Sequence, residues 1–237
     1  MGSNPNAGVL SWRVYKPKSM GDFGPRGPLG RGPEAPAKGT SVGRDCNRLA
    51  GEDLRKLIMW NLVTLDGFFE GRKSWDIGWH DTVWGEELEK FSVEQSKSIG
   101  ALLFGRVTYE GMAGYWSKEK GDIADFMNAV PKVVFSKTLA KADWNNTRLV
   151  KQNAEREVAK MKNEKGKDLF IFGSANLSSA LTRKGLIDEY RLCVAPIVLG
   201  GGNPLFKESS ELLKLKLIEA RPLKSSGVIL RYEPRPT

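Results

Sequence analysis

Apolar residues are not spread evenly along this chain. From Leu57 onward they gather into short unbroken runs separated by stretches with helical spacing. Unbroken runs of four to eight apolar residues read as strands buried on both faces. Such runs, continuous but for Asn61, Lys132 and Ser136, occupy residues 57–63, 101–104, 132–136 and 169–172, and Thr147-Arg148-Leu149-Val150 reads as a further short strand. Spacing near 3.6 marks 86–98, where Leu88, Phe91 and Val93 recur, and again 107–114, 123–129, 154–164 and 176–183. Gly185 is placed to end the last of these helices. Residues 189–198 read as a long strand with a bulge or edge position at Pro196. Two final strands, 215–223 and 228–232, flank Ser225-Ser226-Gly227 as a hairpin. Strands alternating with helices imply an α/β fold: a mainly parallel sheet, helices on both faces, and antiparallel strands at its end.

Before this region the pattern fails. Residues 1–54 are rich in Gly, Pro and polar side chains, as in Gly24-Pro25-Arg26-Gly27-Pro28, and carry no sustained period. Such a segment buries too little apolar surface to offset the entropy of ordering. It is expected to be a disordered or loosely attached tail, ahead of one domain over 55–237. A targeting segment and a misassigned start are alternatives, but Asp22, Glu34 and Asp45 argue against an organelle transit peptide.

Composition narrows the function classes. With one histidine and two cysteines among 237 residues, a Cys/His zinc site is excluded in practice, and no motif indicates another metal. Cys46 and Cys193 are too far apart in sequence and too different in setting to suggest a disulfide framework, so a reducing compartment is expected. No run reaches the roughly 18–20 apolar residues of a membrane span, and no signal peptide is evident. A cytoplasmic location is the expectation. The net charge of +9 is scattered and mixed with acids, which disfavours a nucleic-acid-binding surface but suits a site that attracts a polyphosphate.

In a parallel sheet, ligands bind where strand ends meet helix starts, because free N–H groups and the positive end of the helix dipole converge there. Three junctions have that character. Gly105-Arg106-Val107-Thr108 ends one strand with a glycine, a cation and a hydroxyl. Ser136-Lys137-Thr138 ends another with a hydroxyl and a cation. Gly173-Ser174-Ala175-Asn176-Leu177 offers small residues at a helix start. Taken singly, each is equally a helix cap or a plain turn.

Their order along the chain resembles the dihydrofolate reductase superfamily, and more closely the reductase domain of riboflavin biosynthesis. The matching pieces are Thr64-Leu65-Asp66-Gly67, Leu103 to Glu110, Val134-Phe135-Ser136-Lys137, Phe172 to Leu177, and Gly185 to Tyr190 leading to Ala195-Pro196-Ile197-Val198-Leu199-Gly200-Gly201-Gly202. The resemblance implies a three-layer fold and an NADPH-dependent reductase acting on a small pteridine-like, pyrimidine-like or carbonyl substrate. It places Gly105, Arg106 and Thr108 at cofactor phosphate, and Ser136 and Lys137 at the adenosine ribose and its 2′-phosphate. It also implies a pyrophosphate cradle of Gly173, Ser174, Ala175, Asn176 and Leu177, nicotinamide near Val63 and Thr64, and a homodimer formed through the C-terminal half. Ser174 departs from the second glycine that dihydrofolate reductases carry.

Candidates for chemistry are fewer. Glu87, in Glu87-Leu88-Glu89-Lys90-Phe91, resembles the acid of folate reduction and is a candidate proton relay, or else a solvated helix acid beside Glu86 and Glu89. Asp66 either faces the pocket or serves its Asp-Gly turn. His80 lies in an aromatic loop, either exposed or able to relay a proton near neutrality. Trp75, Trp79 and Trp84 either cover a flat substrate or anchor that loop. Gly200-Gly201-Gly202 is a turn rather than a Rossmann fingerprint. A non-catalytic nucleotide-binding or interaction protein on the same scaffold is the rival reading.

Overall fold

A computed structural model describes residues 54–209 and 212–235. The tail expected over 1–54 therefore lies, except for Leu54, outside the described residues, as does Cys46. The ordered elements run β1 (Leu57–Thr64), β2 (Phe68–Glu70), α1 (Glu86–Ser96), β3 (Ile99–Gly105), α2 (Arg106–Trp116), α3 (Asp122–Ala129), β4 (Lys132–Phe135), β5 (Thr147–Val150), α4 (Ala154–Lys162), β6 (Asp168–Phe172), α5 (Ala175–Arg183), β7 (Glu189–Ala195), β8 (Asn203–Pro204), β9 (Leu215–Pro222) and β10 (Val228–Pro234).

Eight strands form one sheet in the order β5-β4-β3-β6-β1-β7-β10-β9. The six from β5 to β7 are parallel; β10 runs antiparallel to both β7 and β9. All eight residues of β1 are buried, because β1 lies between β6 and β7 and both its faces are covered. Alternation along it divides the core in two. Ile58, Trp60 and Leu62 pack with Leu88 and Phe91 of α1, Tyr109 and Trp116 of α2 and Met127 of α3. Leu57, Met59 and Val63 pack with Val158 and Met161 of α4 and with Leu177 and Leu181 of α5. The result is a three-layer α/β fold.

Strand order reverses beside β1: the chain moves outward through β3, β4 and β5, then returns to insert β6 between β3 and β1. A crevice opens at such a reversal, at the carboxyl ends of the strands.

Two local expectations are revised. β7 stops at Ala195 rather than running to residue 198, since Pro196 has no N–H to continue the ladder. The segment after β1, expected to be loop throughout, contains β2, which pairs with β8 through Phe68↔Pro204 and Glu70↔Asn203. Lys132 is also unexpected: it is 1% exposed. Its ammonium donates to the carbonyls of Met127, Asn128 and Val130 and lies 4.4 Å above the Trp144 ring, capping the C-terminal end of α3. Burial pushes its pKa down to about 8. Among the described residues, no helix is long and apolar enough to cross a membrane.

Candidate functional site

A cleft of about 600 Å³ opens at the carboxyl edge of the sheet, where β1, β3 and β6 end. The β3–α2 junction enters it through Gly105, Arg106 and Thr108. The β6–α5 junction contributes the segment from Gly173 to Leu177. Side chains of Trp60, Leu62, Phe135 and Phe172 supply apolar lining, and Trp75, Ile77 and His80 come from the loop after β2.

The two junctions are fastened to each other. The N–H of Gly105 donates to Ser174 Oγ at 2.9 Å, and the N–H of Ser174 donates to Thr108 Oγ1 at 3.1 Å. Gly173 and Ser174 both adopt left-handed conformations, with φ of +61° and +58°. A side chain tolerates that region poorly, yet here the Ser174 hydroxyl makes a bond that glycine cannot. A Cβ at position 173 would stand 3.2 Å from the Thr108 methyl, so this residue must stay small. The first backbone bond of α5 runs from Ser178 N–H to Ser174 C=O. The amides of Ala175, Asn176 and Leu177 thus have no acceptor within the helix, and all three residues line the cleft. An array of free amides at a helix N-terminus, beside a guanidinium and against apolar walls, suits a phosphate-bearing ligand with a flat ring. This donor set fits a dinucleotide.

Not every candidate converges here. Ser136 and Lys137 follow β4, whose Phe135 pairs with Gly105 and lines the cleft, but neither residue lines it itself. Ser136 Oγ accepts the N–H groups of Thr138 and Leu139, and Lys137 is exposed. Arg106 is half-exposed and pairs with Glu110 at 2.8 Å. Val63 and Thr64 are buried and outside the lining; Asn61 and Leu62 take that place on β1.

The proposed acids call for correction. The Glu87 carboxylate is exposed and accepts the Lys224 N–H at 2.6 Å, bracing the β9–β10 turn away from the cleft. Asp66 is likewise engaged: it accepts the Thr64 hydroxyl at 2.6 Å, the Gly200 N–H at 2.8 Å and the Leu199 N–H at 3.1 Å. The Thr64 bond first, and then the two amides, hold its carboxyl below the usual range. This carboxylate ties the turn after β1 to the triple-glycine loop and is no free acid.

The aromatic loop is built rather than slack. Glu70 accepts the Trp75 N–H with one oxygen at 2.9 Å and the Asn203 amide with the other at 2.7 Å. Trp75 itself adopts φ +67°, and its indole sits so close on Gly111 of α2 that any Cβ there would overlap the ring. His80, in a short 3-10 helix (Gly78–Thr82), stacks edge-on against Trp79 at 4.4 Å. Both its ring nitrogens are buried without a partner, and desolvation lowers its pKa to about 4. The exposed, near-neutral reading is therefore overturned. Asn61, 5% exposed on β1, also carries a buried Nδ2 with no partner. The sequence held no signal for Asn61, because an asparagine inside an apolar run reads only as a blemish in a strand.

The model of the RibD C-terminal domain matches residues 55–229. The chain belongs to the RibD C-terminal domain family. A relative within reach of sequence comparison is the uncharacterized protein YyaP of Bacillus subtilis (strain 168), 32% identical over 180 residues, spanning 74% of this chain and 92% of that one. Among solved structures, the fold matches a protein of Shewanella sp. PV-4 assigned to riboflavin biosynthesis, with TM-score 0.65 at 22% identity over 76% of this chain and 99% of that one. It also matches dihydrofolate reductase from Enterococcus faecalis complexed with NADP(H), with TM-score 0.53 at 14% identity over 76% and 97% of the two chains. At these identities the structural matches establish a dihydrofolate reductase-like fold.

Proposed function

We propose that this chain is an NADPH-dependent reductase of a small heterocyclic or carbonyl substrate. The observation that carries the reading is the fastening of the β3–α2 and β6–α5 junctions around one cleft, which the first three residues of α5 line. Reduced nicotinamide, when bound, would supply the hydride. The chain's residues provide the rest. The Ala175, Asn176 and Leu177 amides hold the pyrophosphate, and charge-assisted bonds of this kind contribute about 1.5–3 kcal/mol each. Arg106 and Lys137 are exposed cations at neighbouring strand ends and supply charge for a 2′-phosphate. Trp60 and Leu62 line the ring compartment, and Trp75 borders it.

Among the described residues Glu70 is the one acid in the cleft lining, and both its oxygens are already occupied. That observation favours a second reading, a nucleotide-binding protein without turnover. Titration with NADPH, followed by nicotinamide fluorescence, tests binding. Loss of the nicotinamide absorbance with a panel of pteridines, pyrimidines and carbonyl compounds tests catalysis. No NADPH binding defeats both readings; binding without turnover leaves the second. A homodimer in the cytoplasm completes the proposal: edge strand β9, with exposed Leu217 and Ile218, offers the C-terminal half an apolar surface, and light scattering of the purified chain tests it.

A further inference from the structure

A second space lies behind one wall of the cleft. Between α1, α2 and α3 the helix layer leaves a cavity of about 160 Å³. Its base is Trp60 of β1 and Phe172 of β6, and its sides carry Met112 and Trp116 of α2 and Ile123 and Phe126 of α3. Trp60, Met112 and Phe172 line the cleft as well, so one set of side chains divides the two spaces. The mouth lies where Val93 of α1 and Asp122 of α3 are exposed.

Polar groups of this wall are largely engaged inside their own helices. The Ser92 and Ser96 hydroxyls donate to the Leu88 and Val93 carbonyls, each at 2.8 Å, and the Trp116 indole N–H points to Met112 Sδ at 3.3 Å. Such a wall offers a ligand contact area rather than hydrogen bonds. An apolar cavity of about 150 Å³ stays dry and admits a benzene-sized molecule, because the occupant restores dispersion contacts that an empty wall lacks. The rings of Trp60, Trp116, Phe126 and Phe172 and the thioethers of Met112 and Met127 add the contacts that aromatic rings favour.

We infer that this cavity is a second binding site, separate from the cleft, for a small apolar ligand built on one aromatic ring with at most a short alkyl substituent. A dinucleotide is far too large and too polar to enter it, so the inference is independent of the cofactor reading of the cleft.

The test titrates the full chain with toluene and follows binding by saturation-transfer NMR. Benzoate and benzylamine keep the ring and add either charge. Toluene is expected to bind with a Kd of about 1 mM or tighter, and a tenfold excess over that Kd should raise Tm by about 3 °C. Both charged analogues should bind at least about tenfold more weakly, since a charge loses its hydration on entry. Ile123→Trp fills the cavity, and Val93→Trp, at an exposed position, covers its mouth; each should weaken toluene about tenfold or more and remove its thermal shift. Circular dichroism checks folding, and if Ile123→Trp is unfolded, Val93→Trp decides. No saturable toluene binding at about 5 mM, a charged analogue bound as tightly as toluene, or unchanged toluene affinity in a folded variant overturns the inference.

Discussion

Position 174 offers a sharp test of how the cleft is held together. Ser174 sits at φ +58° while its hydroxyl accepts the Gly105 N–H at 2.9 Å. Ser174→Ala keeps the backbone strain and removes the acceptor, leaving a partly buried N–H unmet. That loss costs about 1–1.5 kcal/mol. Ser174→Gly removes the same acceptor but also relieves the left-handed residue, which recovers about 1 kcal/mol. The two variants should therefore separate: alanine lowers Tm by about 3–5 °C, and glycine leaves it within about 2 °C of wild type, on the scaling for a domain of this size. Thermal melts by circular dichroism, supported by urea midpoints, measure both. Equal loss in the two variants would refute the reasoning, because relief of the backbone is the only difference between them.

Further outcomes follow from the same contacts. His80 has its pKa lowered from 6.5 to about 4 in the folded chain, so its neutral form is favoured by folding. The associated stability is complete above pH 6.5 and is lost as pH falls through 4, because the unfolded chain takes up the proton first. The shift corresponds to about 3 kcal/mol, or about 2 once the partly exposed edge of the residue is allowed for. Urea midpoints between pH 7.5 and 4 should fall less steeply for His80→Gln than for wild type, and identical slopes would exclude His80 as the source. Gly111→Ala drives a methyl group into the Trp75 indole; overpacking should outweigh the better helix propensity and destabilise by about 1 kcal/mol net. Combined with Trp75→Ala the penalty should vanish, and additive melting shifts would count against that contact. Arg106→Ala and Lys137→Ala should weaken NADPH more than NADH in fluorescence titrations, since only NADPH carries a 2′-phosphate; equal losses would remove the phosphate assignment.

What the sequence determined by itself was whatever local chemistry dictates. Predominantly apolar runs marked strands β1, β3, β4 and β6, because a strand covered on both faces has few positions free for a polar residue. Glycines and hydroxyls at the run ends marked the junctions, since turns into helices demand small or capping residues wherever they occur. The order of these pieces was enough to suggest the fold. Partners distant in sequence were decided only by tertiary structure. Glu87 is claimed by an amide 137 positions away, and Asp66 by amides 133 and 134 positions away, so neither could be told from a free acid in a linear reading. His80 and Lys132 look like ordinary polar residues until the packing of neighbouring elements buries them. Burial and charge state depend on what lies across the fold, and a local pattern carries no record of that.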